Sequence, residues 1–195
     1  MNRVYIVHCW EGTKDDGWYP WLDDKISDDE TEVFRFNMPN TDAPEIESWC
    51  LELNKQVGEL DENTFFVGHS IGCQTIMRYL ERQNARKIGG ILFVAPWLKL
   101  LPKAVEDDES YNIAQPWLNT PIDFQKVRSF TDNITCIFSD DDYFVPIEQE
   151  KVFKEVLGAR TVVVEGKGHI SADDGVNELD EICKELKRLL ERKED

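Results

Sequence analysis

The 195-residue chain has no apolar run approaching the roughly 20 residues that a membrane-spanning helix needs. Positive charge is also scarce. Against 39 Asp and Glu stand 22 Lys and Arg, a formal net charge of −17 with a sequence pI near 4.5. Such a field repels nucleic-acid backbones and anionic membranes, so neither is expected as a partner. The bulk of these charges reads as a solvated acidic surface. Five cysteines form no C-x-x-C, and the single adjacent pair His8-Cys9 has no second such pair near it, which removes the usual zinc and dithiol patterns. Cys73, Cys136 and Cys183 fall in apolar periodic segments and read as buried reduced thiols. No repeat, low-complexity stretch or linker interrupts the chain, so one domain over 1–195 is expected. The opening Met1-Asn2-Arg3-Val4-Tyr5-Ile6-Val7 turns polar too soon for a signal peptide and reads as a strand. The expectation is a cytoplasmic protein.

What is present is an alternation of strand and helix patterns. Strands are predicted at Arg3–Val7, Glu32–Asn37, Thr64–Val67, Gly90–Ala95, Ile134–Ser139 and Thr161–Glu165. Three of them, Val4 to Val7, Ile91 to Val94 and Thr161 to Val164, are continuous runs of apolar or β-branched residues, as suits strands buried on both faces of a parallel sheet. Helices are predicted over Pro44–Val57, Ser70–Arg82, Ile147–Leu157 and Asn177–Arg192. The last carries Leu179, Ile182, Cys183, Leu186, Leu189 and Leu190 on one stripe. Repeated β-α-β units imply a mostly parallel sheet covered on both faces. Residues Trp97–Phe124, with Pro102, Pro116 and Pro121 and the acidic patch Glu106 to Glu109, read as an extended excursion between strands four and five.

Gly68-His69-Ser70-Ile71-Gly72 lies between the strand pattern ending at Val67 and the helical spacing from Cys73 to Leu80. Strand, G-x-S-x-G, helix is the context of a nucleophile elbow, which presents a serine hydroxyl above a sheet on a strained turn. The glycines remove Cβ atoms where strand and helix meet. Ser70 is therefore the candidate nucleophile, and it needs a base.

Only three histidines compete. His69 adjoins Ser70, and neighbours across such a turn point apart, so it reads as a packing or hydrogen-bonding residue. His8 ends the first strand. His169 sits in Glu165-Gly166-Lys167-Gly168-His169, right after the last strand, where the order Ser, acid, His puts the base. The acid then falls among Asp140, Asp141 and Asp142, directly after the strand Ile134–Ser139. A carboxylate there can accept from imidazole Nδ1–H and fix the tautomer. The triplet lacks the alternating spacing and turn glycine of a calcium loop, so no metal is assigned to it. The oxyanion hole should use the amide of Ile71 and one from the loop His8-Cys9-Trp10-Glu11-Gly12, with Trp10 the candidate.

With these pieces in place the chain resembles the RBBP9/YdeN-type small serine hydrolases, lidless α/β-hydrolases. The resemblance rests on Val4 to His8, Trp18-Tyr19-Pro20-Trp21-Leu22 and Met38-Pro39-Asn40 with Pro44 and Trp49. It continues through Gly68 to Gly72, Ala95-Pro96-Trp97, Ser139 to Pro146 and Gly168-His169. It implies a three-layer sheet of about six strands in the order 2-1-3-4-5-6 without a large cap. It also implies a Ser/Asp/His triad acting on small ester-like or amide-like substrates, with no metal or organic cofactor. In hydrolases of this kind the acid stands three residues before the Val of Asp-x-x-Val-Pro. That is Asp142 here, with Asp141 the fallback. Many relatives have Gly directly after the first-strand histidine, where this chain has Cys9.

The sequence therefore points to a carboxylesterase for small uncharged acyl esters, with Ser70 attacking, His169 moving the proton and Asp142 orienting it. An amidase or peptidase would use the same constellation. A third reading is a protein-binding module that keeps the fold with little turnover. Its docking face would be Trp18, Trp21 and Trp97 on an acidic surface, residues that helix-to-sheet packing explains equally well.

Overall fold

A computed structural model describes residues 1–84 and 87–191. Six strands form one sheet: β1 (Asn2–Val7), β2 (Thr31–Arg35), β3 (Thr64–His69), β4 (Gly90–Val94), β5 (Ile134–Ser139) and β6 (Arg160–Val164). Their order is β2-β1-β3-β4-β5-β6, and every neighbouring pair is parallel. Each strand lies within about two residues of its predicted place.

The runs Val4 to Val7 and Ile91 to Val94 divide between two cores, because successive side chains leave a strand on opposite faces, whereas Thr161 to Val164, on an edge strand, faces only one core and leaves Val163 exposed. Tyr5, Val7, Phe66, Ile91, Phe93 and Cys136 enter one core. Val4, Ile6, Phe65, Val67, Leu92 and Ile137 enter the other. The first core is covered by α2 (Ile46–Val57), α3 (Ile71–Glu81) and α6 (Gln149–Leu157). The second is covered by α1 (Tyr19–Ile26) and α7 (Asp180–Glu191). Arg192, the predicted last residue of α7, lies outside the described residues. β3, β4 and β5 are buried along their whole length, whereas β2 and β6, at the two edges, are partly exposed.

Three helices among the described residues go beyond the predicted set, and the excursion, which holds two of them, is not extended. Residues Pro102–Val105 make a 3₁₀ turn, followed by α4 (Asp108–Asn119) and α5 (Phe124–Arg128). Asp107 caps α4 by accepting from the Ser110 amide at 2.8 Å, and Asp108 and Glu109 occupy its first turn. Carboxylates there favour the positive end of the helix dipole, so the acidic patch read as part of an extended excursion is a helix start. Pro116 lies inside α4 rather than ending it, and the adjacent Trp117 is buried and donates from Nε1 to the Pro44 carbonyl. Tertiary packing has overridden the breaker. The buried Arg78 of α3 caps the far end of α4, donating to the carbonyls of Trp117 and Thr120 at 3.0 and 2.8 Å. The other helix, α1, is short and carries Pro20 in its first turn, where the missing N–H costs nothing.

Strand order reverses between β1 and β3. Right-handed crossovers leave on opposite faces there, which opens a crevice at the carboxyl ends of these strands. The loop after β1 and the elbow after β3 both lie at that crevice.

Candidate active site

Ser70 follows β3 and precedes α3 with φ 54° and ψ −119°, a left-handed backbone for a residue with a Cβ. The neighbouring glycines make the turn possible. A Cβ on Gly72 would stand 2.3 Å from the Val7 carbonyl oxygen, and one on Gly68 would stand 2.8 Å from Cys73 Cα. The Ser70 amide donates to the Val94 carbonyl at 2.9 Å, which ties the elbow to β4.

His169 lies on the loop after β6. Its Nε2 is 2.8 Å from Ser70 Oγ, and its Nδ1 is 2.8 Å from Asp142 Oδ2. The other Asp142 oxygen accepts the amides of Phe144 and Val145 at 2.8 and 2.9 Å. The side chains of Asp142 and His169 are 3% and 8% exposed, so the pair is shielded from water that would weaken it. Asp140 and Asp141 do not simply face solvent or cap their own turn. Asp140 accepts the Gly166 amide at 2.9 Å, and Asp141 accepts the Gly168 amide at 2.8 Å. Ser139 Oγ donates to Asp141 and accepts from the Lys167 amide. The end of β5 thus grips the whole loop that carries His169. Hydrogen bonds from the Ser139 hydroxyl and the Gly168 amide hold the Asp141 carboxyl below the usual carboxylate range.

The other two histidines are fully committed elsewhere. His69 Nε2 faces the His169 carbonyl at 2.9 Å, and only an N–H can satisfy that oxygen. Nδ1 is then the acceptor, taking the Tyr19 hydroxyl at 2.6 Å. Tyr19 Oη in turn accepts the Cys9 amide at 3.3 Å. Burial, with His169 beside it, pushes His69 down to about 3, so it stays neutral. His8 accepts the Met38 amide on Nε2 and donates from Nδ1 to the Cys9 carbonyl. Both its nitrogens hold backbone.

In the loop after β1 the Cys9 amide is taken by Tyr19 and the Glu11 amide by the Thr41 carbonyl. The Trp10 amide has no acceptor among the described residues, nor does that of Ile71. Burial pushes the Cys9 thiol up to about 11, which keeps it protonated and a poor competitor as a nucleophile. Its sulfur packs over Gly12, where a Cβ would approach it to 2.9 Å.

Ser70 and His169 open into a cleft of about 530 Å³ whose walls include Trp10, Leu100, Tyr143 and Phe144. A hollow of about 690 Å³ opens at the amino ends of the strands, where no described histidine or cysteine lines it. Chemistry, not size, singles out the first. Among the described residues no group of three or more His, Cys, Asp or Glu side chains could hold a metal ion.

Residues 4–188 match the serine hydrolase family. The protein YdeN of Bacillus subtilis (strain 168) is 33% identical over 179 residues, 91% of this chain and 90% of that protein. The chain belongs to the serine hydrolase family. Serine hydrolase RBBP9 of Rattus norvegicus is 23% identical over 175 residues, 89% of this chain and 87% of its own. The crystal structure of the B. subtilis ydeN gene product superimposes with a TM-score of 0.86 at 28% identity, covering 98% of this chain and 100% of that one. An esterase from Exiguobacterium antarcticum shares the fold, with a TM-score of 0.69 at 13% identity over 98% of this chain and 92% of that one.

The tryptophans of this serine hydrolase do not form a docking face. Trp18 and Trp97 are each 1% exposed, and Trp21 is partly buried against the core. Trp18 donates from Nε1 to the Ile170 carbonyl, next to His169. Trp97 Nε1 lies 3.3 Å from Ser70 Oγ. Its place just beyond the carboxyl end of β4 was a usable signal, since functional groups of open parallel sheets gather there.

Proposed function

We propose that this serine hydrolase is a carboxylesterase for small uncharged acyl esters, with Ser70 as nucleophile, His169 as base and Asp142 as its orienting acid. The observation that carries the reading is the unbroken hydrogen-bond line from Asp142 through His169 to Ser70, each step 2.8 Å. His169 Nδ1–H donates to Asp142, which leaves the Nε2 lone pair facing the serine hydroxyl. As Ser70 Oγ attacks the ester carbonyl, its proton passes to Nε2. The carbonyl oxygen gains the electron pair and is held by the amides of Ile71 and Trp10. The imidazolium then returns the proton to the departing alcohol, and water cleaves the acyl-enzyme by the same steps in reverse roles. Steering supports uncharged substrates as well: a chain of net charge −17 disfavours acidic ones.

The test is a panel of p-nitrophenyl esters of increasing chain length beside matched p-nitroanilides. The reading predicts the highest kcat/KM on short acyl esters, with anilides at least about a hundredfold lower, a gap of about 2.7 kcal/mol or more in transition-state stabilisation. Anilides turned over as fast as esters would move the assignment to an amidase. No turnover of either would favour a binding module.

A further inference from the structure

We propose that Trp97 is a further catalytic residue: its indole N–H holds one lone pair of Ser70 Oγ and thereby fixes the direction of attack. This rests on Ser70 being the nucleophile. The Oγ atom is tetrahedral, with four directions to fill. One is Cβ. The hydrogen points to His169 Nε2 at 2.8 Å. Trp97 Nε1, 3.3 Å away, occupies one lone pair, so the remaining lone pair is the one left to attack a substrate in the cleft. A buried indole N–H needs an acceptor, and with Trp97 only 1% exposed, water is a poor alternative to Ser70.

The aim of the indole is built into the fold rather than left to chance. Ala95 leaves β4 at φ 47°, a conformation that residues with a Cβ avoid, and Pro96 fixes the next φ. Two buried glutamines then pin the segment. Gln74 Nε2 of α3 donates to the Trp97 carbonyl at 3.1 Å, its own oxygen held by Arg78. Gln149 Oε1 of α6 accepts the amides of Leu98 and Lys99 at 2.7 and 3.1 Å. Gln74 lies on the same helix that Ser70 precedes, so nucleophile and indole share one support.

In the reaction Trp97 transfers no proton. The Ser70 hydroxyl proton goes to His169 Nε2, the free lone pair of Oγ forms the bond to the carbonyl carbon, and the carbonyl π pair moves to its oxygen. The indole N–H stays on Oγ and stabilises the partial negative charge there as the proton leaves. In deacylation Oγ is the leaving atom and regains electron density, and the same contact strengthens again.

The experiment measures the second-order rate of labelling by a fluorophosphonate, and kcat and KM on a short p-nitrophenyl ester. It compares wild type, Ser70→Ala, Trp97→Phe and Trp97→β-(3-benzothienyl)alanine. The last keeps the bicyclic shape and replaces the N–H by sulfur, so packing survives while the donor is lost. The expected result for both Trp97 variants is a loss of about ten- to fiftyfold in labelling and kcat, below the hundredfold or more of a full oxyanion-hole donor. KM should stay within about twofold, because the contact acts on the reacting atom and not on bound substrate. A benzothienyl variant within twofold of wild type in both rates would overturn the proposal, whatever Trp97→Phe does. Labelling that persists in Ser70→Ala would instead overturn the nucleophile itself, so the two failures are distinguishable.

Discussion

Asp140, Asp141 and Asp142 stand side by side, yet each accepts a different set of hydrogen bonds, and this separates their expected mutant phenotypes. Asp142→Asn presents an amide where Nδ1–H needs an acceptor and favours the wrong imidazole tautomer. The expected loss is about 10⁴ in kcat, the size seen for that change in the chymotrypsin-type triad. Asp141→Asn and Asp140→Asn each keep an oxygen that can accept the loop amides, so each should lose less than tenfold in kcat and show a lower melting temperature. Steady-state rates with a melting curve for the three variants decide the matter. Equal mild effects in all three would place the acid elsewhere. The histidines separate in the same way. His169→Ala should approach the roughly 10⁶-fold loss expected of Ser70→Ala. His8→Ala removes a ligand of backbone and not of Ser70, so its damage should appear first in the melting curve. Activity that survives in His169→Ala and dies in His8→Ala would sink the assignment.

At the scale of elements, the elbow is set by the close approach of α3 to the end of β1, whereas the loop after β6 leaves open space at Gly166. Gly72→Ala drives a methyl to within 2.3 Å of the Val7 carbonyl and must displace either α3 or the end of β1. We predict a destabilisation of roughly 3 kcal/mol, the upper end of overpacking costs, together with loss of activity. Gly166→Ala meets nothing within 4 Å and pays only for its φ of 64°, about 1 kcal/mol. Urea denaturation of the two variants gives the comparison; equal costs would mean that the approach of helix to strand is loose. The elements that position the site were legible because each has a strong local signal: short β-branched runs, a G-x-S-x-G between strand and helix, and an amphipathic last helix. The stretch from Trp97 to Arg128 was not. Its prolines read as breakers, whereas Trp117 buried beneath Pro44 and the Arg78 cap supply stability that no local window contains. The support of the site by Trp97, Tyr19 and the paired grips of Asp140 and Asp141 also escaped, since each contact spans at least 10 residues of sequence.

For the molecule as a whole, buried neutral histidine makes stability depend on pH. An unfolded histidine takes up a proton near pH 6.5, whereas His69 in the fold resists it down to about 3. Between those values the unfolded chain binds more protons, so this contribution is fully present above pH 6.5 and is lost as the pH falls. Stability from urea titrations should therefore drop by about 2 kcal/mol more in wild type than in His69→Gln between pH 7.5 and 5. Gln can keep the donor to the His169 carbonyl without titrating. Parallel losses in the two proteins would show that His69 takes up its proton as readily in the fold as in the unfolded chain. The central claim, that Ser70 is activated by His169 for covalent chemistry in this cleft, is tested most directly by mapping a fluorophosphonate adduct by peptide mass spectrometry. A single adduct on Ser70, absent from the His169→Ala protein, is the predicted result. An adduct on another residue such as Cys9, or labelling of Ser70 that is indifferent to His169, would contradict it.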